Sequence, residues 1–324
     1  MAAPYPQRMV EAAPRVRARS RSPGPLRGGA GALPSSARGF TLLEAIVVMV
    51  IVGIIAATVA VFIPKPVEGY MATTSRLNIA DIADTALRRI GRDVRLALPN
   101  TVRVDATGMF LELIPIKAGG RYRDNDACFA TGCTSLSTLG DMLTNVQLAP
   151  GSDLVAIFNT YNNSGNDCSA TLISAYCSAP SPQNTATLTS ASGAGTTSNT
   201  LNFASIQFQP PGGSPTRRVF IIPASPVTYA CDAATGTLWR FSGYARTAAQ
   251  PASMTSAVLL AAASKSALAT GVTCPAVVAG SVPPRFSYTA GASERYGLLS
   301  AWITVQADGE SISLLHQIHV DNTP

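Results

Sequence analysis

Residues 39–63 have the sequence GFTLLEAIVVMVIVGIIAATVAVFI, and this stretch decides how the chain is organised. Between Phe40 and Ile63 the only charged residue is Glu44. A helix over this stretch would span roughly 36 Å, which is long enough to cross a bilayer. Arginines precede the stretch, and no basic residue follows it before Lys65. Because positively charged loops stay in the cytoplasm, we expect residues 1–39 inside and the rest of the chain outside.

The features around this stretch are ordered differently from those of a secretory signal. A secretory signal has a basic region, a short apolar stretch and then a small-residue cleavage site. Here the small residue Gly39 comes before the apolar stretch, and Glu44 follows it by five residues. Two other interpretations stay open: a plain membrane anchor in which Glu44 is incidental, and cleavage by ordinary signal peptidase at Thr58-x-Ala60. The cost of a carboxylate in an apolar span argues against the plain anchor.

The hexapeptide Gly39-Phe40-Thr41-Leu42-Leu43-Glu44 resembles the recognition sequence of type IV prepilins. The resemblance implies that prepilin peptidase cleaves after Gly39, that Phe40 becomes the N-methylated terminus, and that Glu44 acts in assembly. It implies as partners the prepilin peptidase, other pilins of the same filament, the inner-membrane pilus assembly machinery and the lipid bilayer. The leader of 39 residues is long for that family, and Met9 is an alternative start.

The net charge of +6 lies in this leader. Residues 1–39 hold seven arginines and one acid, Glu11, so the remaining chain is formally neutral. A nucleic-acid-binding protein would need basic residues interleaved with aromatic residues on its folded part. The sequence therefore predicts no nucleic-acid partner.

The chain has six cysteines, all after residue 127. Their even number and grouping suggest disulfides in an oxidising compartment, although six cysteines allow 15 pairings. The alternative is a thiolate metal site, but such sites usually show C-x2-C pairs, and none occurs. We predict no metal, and the pairs suggested by the grouping are Cys128–Cys133, Cys168–Cys177 and Cys231–Cys274.

A second helix is predicted after the apolar stretch, over residues 64–100. Pro64 and Pro66 lack backbone donors and predict a kink or short break at its start. Apolar residues then recur at three- and four-residue spacing, which predicts one buried helical face. Four arginines on this helix are either a docking surface for neighbouring subunits or a solvated face. The apolar positions are Ile79, Ala83, Ala86, Leu87, Ile90, Val94 and Leu98, and the arginines are Arg88, Arg89, Arg92 and Arg95.

Residues 101–324 are predicted to form an extracytoplasmic β-rich domain, so the fold class is α+β, with a long N-terminal helix packed on an antiparallel sheet. Asp308-Gly309 predicts a tight turn between Leu298–Gln306 and Ser311–Val320. Lys117–Pro150 and Ser178–Thr200 are predicted to be long loops held by disulfides. The other predicted strands are Thr101–Asp105, Met109–Ile114, Leu154–Phe158, Leu201–Phe208, Arg218–Ile222 and Thr237–Tyr244.

Four blocks, at residues 66–70, 83–100, 222–229 and 315–322, resemble the MshO group, minor pilin-like proteins of MSHA pilus biogenesis. The resemblance implies a non-enzymatic subunit, without a cofactor, that helps to assemble an MSHA-type pilus. A minor pseudopilin of type II secretion and a pilus-tip adhesin are the alternatives.

The sequence offers few residues for catalysis. His316 and His319 are the only histidines, and their three-residue separation on a strand would place them on opposite faces. We therefore expect no joint metal ligation by the two residues, and we expect His316 to be partly buried beside Ile318.

Overall fold

The computed structural model describes residues 39–62, 64–123, 126–165, 168, 173–177, 184–211, 213–274, 285–290 and 295–324. The predicted leader, residues 1–39, lies outside this description except for Gly39. The chain divides into two compact units, residues 1–61 and 62–324. Helix α1 spans Leu42–Phe62, and all of it except Phe62 belongs to the first unit.

Helix α2 spans Pro64–Arg95 and begins the second unit. Pro64 and Pro66 lie at its described beginning. Residue 63 lies outside the described residues, so the kink or short break predicted at Pro64 and Pro66 stays a prediction. The predicted apolar face is buried throughout, from Ile79 to Val94. The helix ends at Arg95 because Ala97 already pairs with Pro115, and the Leu98 amide donates to the Ile114 carbonyl at 2.8 Å.

Two short helices and fourteen strands follow in the described residues. The helices are α3 (Asp126–Ala130) and α4 (Ala257–Leu260). The strands are β1 (Arg103–Val104), β2 (Phe110–Leu113), β3 (Ala118–Tyr122), β4 (Cys133–Leu139), β5 (Leu154–Ile157), β6 (Thr185–Ser192), β7 (Thr200–Ile206), β8 (Arg218–Ile222), β9 (Val227–Asp232), β10 (Thr237–Ser242), β11 (Ser264–Thr270), β12 (Phe286–Ala290), β13 (Tyr296–Ala307) and β14 (Glu310–Asp321).

Helix α2 packs against two antiparallel sheets. One sheet has the order β1-β2-β9-β10-β11, and the other has the order β12-β13-β14. Alternate residues of these strands meet the buried face of α2 in one hydrophobic core, which includes Ile90, Tyr229 and Ile318. This arrangement confirms the α+β class and the packing of the helix on antiparallel sheets.

The remaining six strands close a barrel in the order β3-β4-β7-β6-β5-β8. The barrel has its own core, in which Phe203 contacts Phe208 edge to face with ring centroids 5.6 Å apart. The prediction that Lys117–Pro150 and Ser178–Thr200 are loops was therefore wrong, because they contain β3, β4 and β6. Barrel closure gives each of these strands a partner on both sides, so that backbone pairing compensates for weak local strand propensity.

The C-terminal hairpin forms as predicted. Strands β13 and β14 pair without a register shift from Tyr296↔Asp321 to Ala307↔Glu310. Asp308 and Gly309 both have positive φ, 52° and 78°, as a tight turn of this kind requires. Two side chains of α2 hold this end of the hairpin: Ser75 Oγ donates to Asp308 Oδ2 at 3.2 Å, and Arg76 pairs with Glu310 at 2.7 Å.

Candidate functional site

The residues of the hexapeptide also determine where α1 begins. Thr41 lies just before the helix, and its Oγ1 accepts a hydrogen bond from the Glu44 amide at 3.2 Å. The Thr41 carbonyl accepts another from the Ala45 amide at 3.1 Å. A threonine followed three residues later by glutamate is a typical helix start, because the side chain satisfies an amide that has no helical partner. Gly39 and Phe40 therefore precede the helix, so the predicted cleavage bond lies in non-helical chain.

Gly39 has no packing role in the described fold. A Cβ added to it would meet no atom within 4 Å. Phe40, the next residue, is 78% exposed. In the described fold, crowding therefore does not require a glycine at this position. Its role in recognition by the peptidase stays a prediction.

Helix α1 is apolar on all sides and none of its 21 residues is buried. Its outward residues include Leu42, Met49 and Ile54, each at least 60% exposed. Within the described residues, one helical stretch is long and apolar enough to cross a membrane, and α1 supplies its apolar part. An exposed apolar surface of this size has to be covered by lipid or by other protein. The helix and the motif fit a protein anchored in the inner membrane.

Glu44 is the one ionisable residue in α1. It lies in the first turn, where a negative charge interacts favourably with the helix dipole. Its side chain is exposed, and no described residue forms a hydrogen bond or ion pair with its carboxylate. In an apolar environment this carboxylate would require a partner from outside the described fold. The assembly role of Glu44 stays a prediction.

Three disulfides hold segments of the second unit. Cys128 in α3 is bonded to Cys133 in β4, with Cα atoms 4.6 Å apart. Cys231 in β9 is bonded to Cys274, just beyond β11, with a Cα separation of 5.8 Å. The third disulfide joins Cys168 and Cys177, whose Cα atoms are 5.6 Å apart, and Cys177 follows the buried Tyr176. Two of these disulfides thus tie a neighbouring segment to a strand, and the third closes a loop beside a buried tyrosine.

A buried ionic network, which the sequence analysis did not identify, lies next to the last of these disulfides. Arg103 in β1 and Glu112 in β2 are directly opposite each other in the ladder. Tyr244 donates to Glu112 Oε1 at 2.8 Å, and the Tyr176 ring stacks on the Arg103 guanidinium at 3.6 Å. Burial raises the pKa of the Glu112 carboxyl, while the Arg103 charge and the Tyr244 hydroxyl oppose that shift. The Arg103 guanidinium donates to Glu112 Oε2 and to the backbone carbonyls of Asn163, Thr247 and Ala248.

The two histidines lie as the alternation of β14 predicts. His316 is partly buried on the face of β14 that points to α2, and His319 is exposed on the opposite face. In the described part of the chain, no group of three His, Cys, Asp or Glu side chains could hold a metal ion. The arrangement thus does not bring the histidines together.

A family model described as a prokaryotic N-terminal methylation motif matches residues 34–60. The match includes Gly39–Glu44 and most of α1, and it does not extend to the second unit. No curated protein and no solved structure matches the chain. The motif indicates a type IV pilin-like or pseudopilin protein, and it implies processing by prepilin peptidase.

Proposed function

We propose that this chain is a minor pilin-like subunit that takes part in assembling an MSHA-type type IV pilus and has no catalytic activity of its own. The observation that carries the proposal is the methylation motif placed directly on α1, a helix that is apolar on every side and that no described residue covers. In a soluble enzyme, an exposed apolar surface of this size would stay in contact with water and favour aggregation.

The proposed sequence of events begins at the membrane. Prepilin peptidase hydrolyses the bond between Gly39 and Phe40, and the new amine of Phe40 is then methylated. Helix α1 holds the processed subunit in the bilayer until assembly, when it passes into a filament core formed by similar helices. Because both environments are apolar, the transfer does not expose the surface of α1 to water. The helix therefore serves first as an anchor and then as a packing element.

We place the second unit, with its three disulfides, on the periplasmic side of the inner membrane. Disulfides persist in oxidising compartments such as the bacterial periplasm. The charge asymmetry around α1 supports the same orientation, because seven arginines precede the helix, whereas Lys65 and Arg76 are the first basic residues after it. After assembly, this unit would be displayed on the pilus at the cell surface.

The resemblance of residues 66–70, 83–100, 222–229 and 315–322 to the MshO group supports an MSHA-type system. A minor pseudopilin of type II secretion would use the same motif and the same helix. A pilus-tip adhesin was the other alternative, with Lys117–Pro150 and Ser178–Thr200 as recognition loops. Much of both segments is paired strand in the barrel, which reduces the loop surface available for recognition.

Mass spectrometry of the N-terminal peptide tests the proposal most directly. Protein purified from the producing cell should begin at Phe40 and carry an added methyl group, whereas cells without prepilin peptidase should contain only precursor. An N-terminus just after Ala60 would show cleavage by ordinary signal peptidase and would contradict the proposal. Deleting the gene then separates the finer roles: loss of pili supports assembly, loss of adhesion alone supports an adhesin, and loss of secretion supports a pseudopilin.

A further inference from the structure

Strand β14 is a free edge of the three-stranded sheet. It pairs with β13 along all twelve of its residues. Among the described residues, no strand lies on its other side, and no backbone hydrogen bond reaches residues 311–320 from outside the hairpin. At about 3.4 Å per residue, this edge presents roughly 40 Å of unpaired backbone donors and acceptors.

The other edge strands in the described chain are shorter or interrupted. Strand β1 has two residues and β12 has five. Strand β11 has seven residues, carries Lys265, and pairs with β10 through a register shift at Leu238/Trp239. Short length, lysine and bulges are the usual protections against pairing with another chain. Strand β14 has none of these features and contains no proline.

A basic groove runs beside this free edge. It has a volume of about 680 Å³ and lies between α2 and β14, and its lining includes Gly91, Arg92 and His316. His316 is the β14 residue in the lining of the groove, and no residue of β13 lines it. Gly91 permits this close approach: a Cβ at that position would lie 3.3 Å from His316 Nε2.

The charge of the groove is only partly compensated. Arg88 pairs with Asp84 at 2.6 Å. Arg92 and Arg95 are exposed, and no described carboxylate lies within 4.0 Å of either guanidinium. Their position in the last turn of α2 lowers their electrostatic cost, because cations interact favourably with that end of a helix. The helix dipole does not explain why both arginines line the groove.

We propose that the free edge of β14 and this groove together bind an extended, acidic segment of a partner polypeptide. The segment would add a strand alongside residues 311–320, and its carboxylates would reach Arg92 and Arg95. Backbone pairing would supply affinity, and the two arginines would select for acidic side chains. The leader of this chain does not fit the site, because its seven arginines against one acid would be repelled. The leader is therefore not the occupant, and we assign the site to a segment of another chain.

Binding of labelled decapeptides to the full-length chain in detergent micelles tests this proposal, with fluorescence anisotropy as the measurement. The first peptide alternates threonine and glutamate, so that all its carboxylates lie on one face of a strand. The second has glutamine in place of glutamate. In two further versions of the acidic peptide, alternate amides are N-methylated: the odd-numbered amides in one version and the even-numbered amides in the other. Each methylation removes a backbone donor from one edge of the peptide strand without changing its charge. We expect the acidic peptide to bind best, and at least one methylated version to bind roughly tenfold more weakly or worse.

The variant Arg92→Gln/Arg95→Gln should lose roughly tenfold or more in affinity for the acidic peptide and should no longer distinguish it from the glutamine peptide. Arg89→Gln is the matched control, since Arg89 is exposed on the same helix but does not line the groove, and its affinity should not change. Amide hydrogen exchange over residues 311–320 should slow when the acidic peptide is present. The proposal is overturned if the acidic peptide does not bind, if both methylated versions bind as well as their parent, or if the double variant binds like the wild type.

Discussion

Arg103 and Glu112 form a salt bridge across the β1–β2 ladder, with Arg103 Nη2 2.7 Å from Glu112 Oε2 and both side chains fully inaccessible to solvent. The network around them reaches three separate parts of the chain. Tyr176 stacks on the arginine, and the Asn163 carbonyl accepts from the guanidinium. Residues 244–248 supply the Tyr244 hydroxyl, which donates to the glutamate, and two carbonyls that accept from the guanidinium. The pair therefore fixes irregular segments against the sheet that packs on α2.

Replacing Glu112 with alanine should destabilise the second unit by about 3–5 kcal/mol, because it leaves the arginine charge buried without a partner. The measurement is the free energy of unfolding of the full-length chain by denaturant titration, followed through the signal of the β-rich unit. The double replacement Arg103→Met/Glu112→Leu should lower the free energy of unfolding clearly less than Glu112→Ala does, because it leaves no unpaired buried charge.

Arg88→Ala/Asp84→Ala is the matched control for this experiment. That pair is also close, at 2.6 Å, but its side chains are 75% and 48% exposed. An exposed pair contributes little, so the double replacement should change the free energy of unfolding by less than about 1 kcal/mol. Equal losses from the buried and the exposed pair would contradict the role given to the buried network.

The three disulfides should differ in their contribution to stability. Cys231–Cys274 joins residues 43 apart, whereas Cys128–Cys133 joins residues 5 apart. On the chain-entropy model, a disulfide that closes a longer loop restricts the unfolded chain more. Replacing Cys231 and Cys274 with serines should therefore lower the free energy of unfolding more than replacing Cys128 and Cys133, within a typical range of about 2–4 kcal/mol per disulfide. Thermal unfolding of the two double-serine variants under oxidising conditions measures the difference. An equal or opposite order would show that effects in the folded state outweigh loop entropy.

The parts of the fold that could be predicted are those that depend on local sequence. The buried face of α2 follows from apolar spacing, and the β13–β14 hairpin follows from alternation around Asp308-Gly309. The barrel could not be predicted in the same way, because β3 contains the adjacent glycines Gly119 and Gly120, which weaken any strand signal. Strand β6 consists of Thr, Ala, Ser and one Leu, and only its partners β5 and β7 make it a strand.

The same distinction applies to the candidate site. Gly39–Glu44 is a continuous motif, and its recognition required no knowledge of the fold. The Arg103–Glu112 pair depends on the register of β1 against β2, so neither residue stands out alone. The two strands were nevertheless predicted as Thr101–Asp105 and Met109–Ile114. Pairing these segments as a hairpin would have placed Arg103 near Glu112, but the register that puts the two directly opposite each other is known only from the structure.

Replacing Gly39 with leucine should block processing and leave full-length precursor in the membrane fraction. A Cβ at this position meets no atom within 4 Å, so the substitution should not disturb the fold and should act through recognition by the peptidase. Gly53→Leu is the matched control, because Gly53 also has open space around it but lies inside α1. The mass of the intact protein distinguishes precursor from product. Cleavage of the Gly39→Leu chain at the same bond would remove the main support for the prepilin interpretation.

Replacing Glu44 with valine should leave membrane insertion and cleavage intact but prevent entry into filaments. In the membrane-anchored subunit Glu44 lies in the first turn of α1, near the aqueous interface, where headgroup water can solvate its carboxylate. Inside a filament that water is excluded, and the carboxylate would require a cationic partner. The amine of Phe40, in the same chain or in a neighbouring one, would supply this charge, because methylation leaves it protonated. The alternative is that Glu44 serves only in recognition by the peptidase.

Comparing the membrane fraction with the sheared-filament fraction separates these two roles. Glu44→Val protein should be found processed, at normal abundance in membranes, and depleted from filaments by roughly tenfold or more, as expected when a charge pair in an apolar environment is lost. Glu68→Val provides the control, since Glu68 is an exposed acid on α2 outside the apolar helix, and its variant should enter filaments normally. An unprocessed Glu44→Val chain would assign the residue to peptidase recognition. Incorporation of processed Glu44→Val protein at the wild-type level would rule out charge pairing with Phe40 as a requirement for assembly.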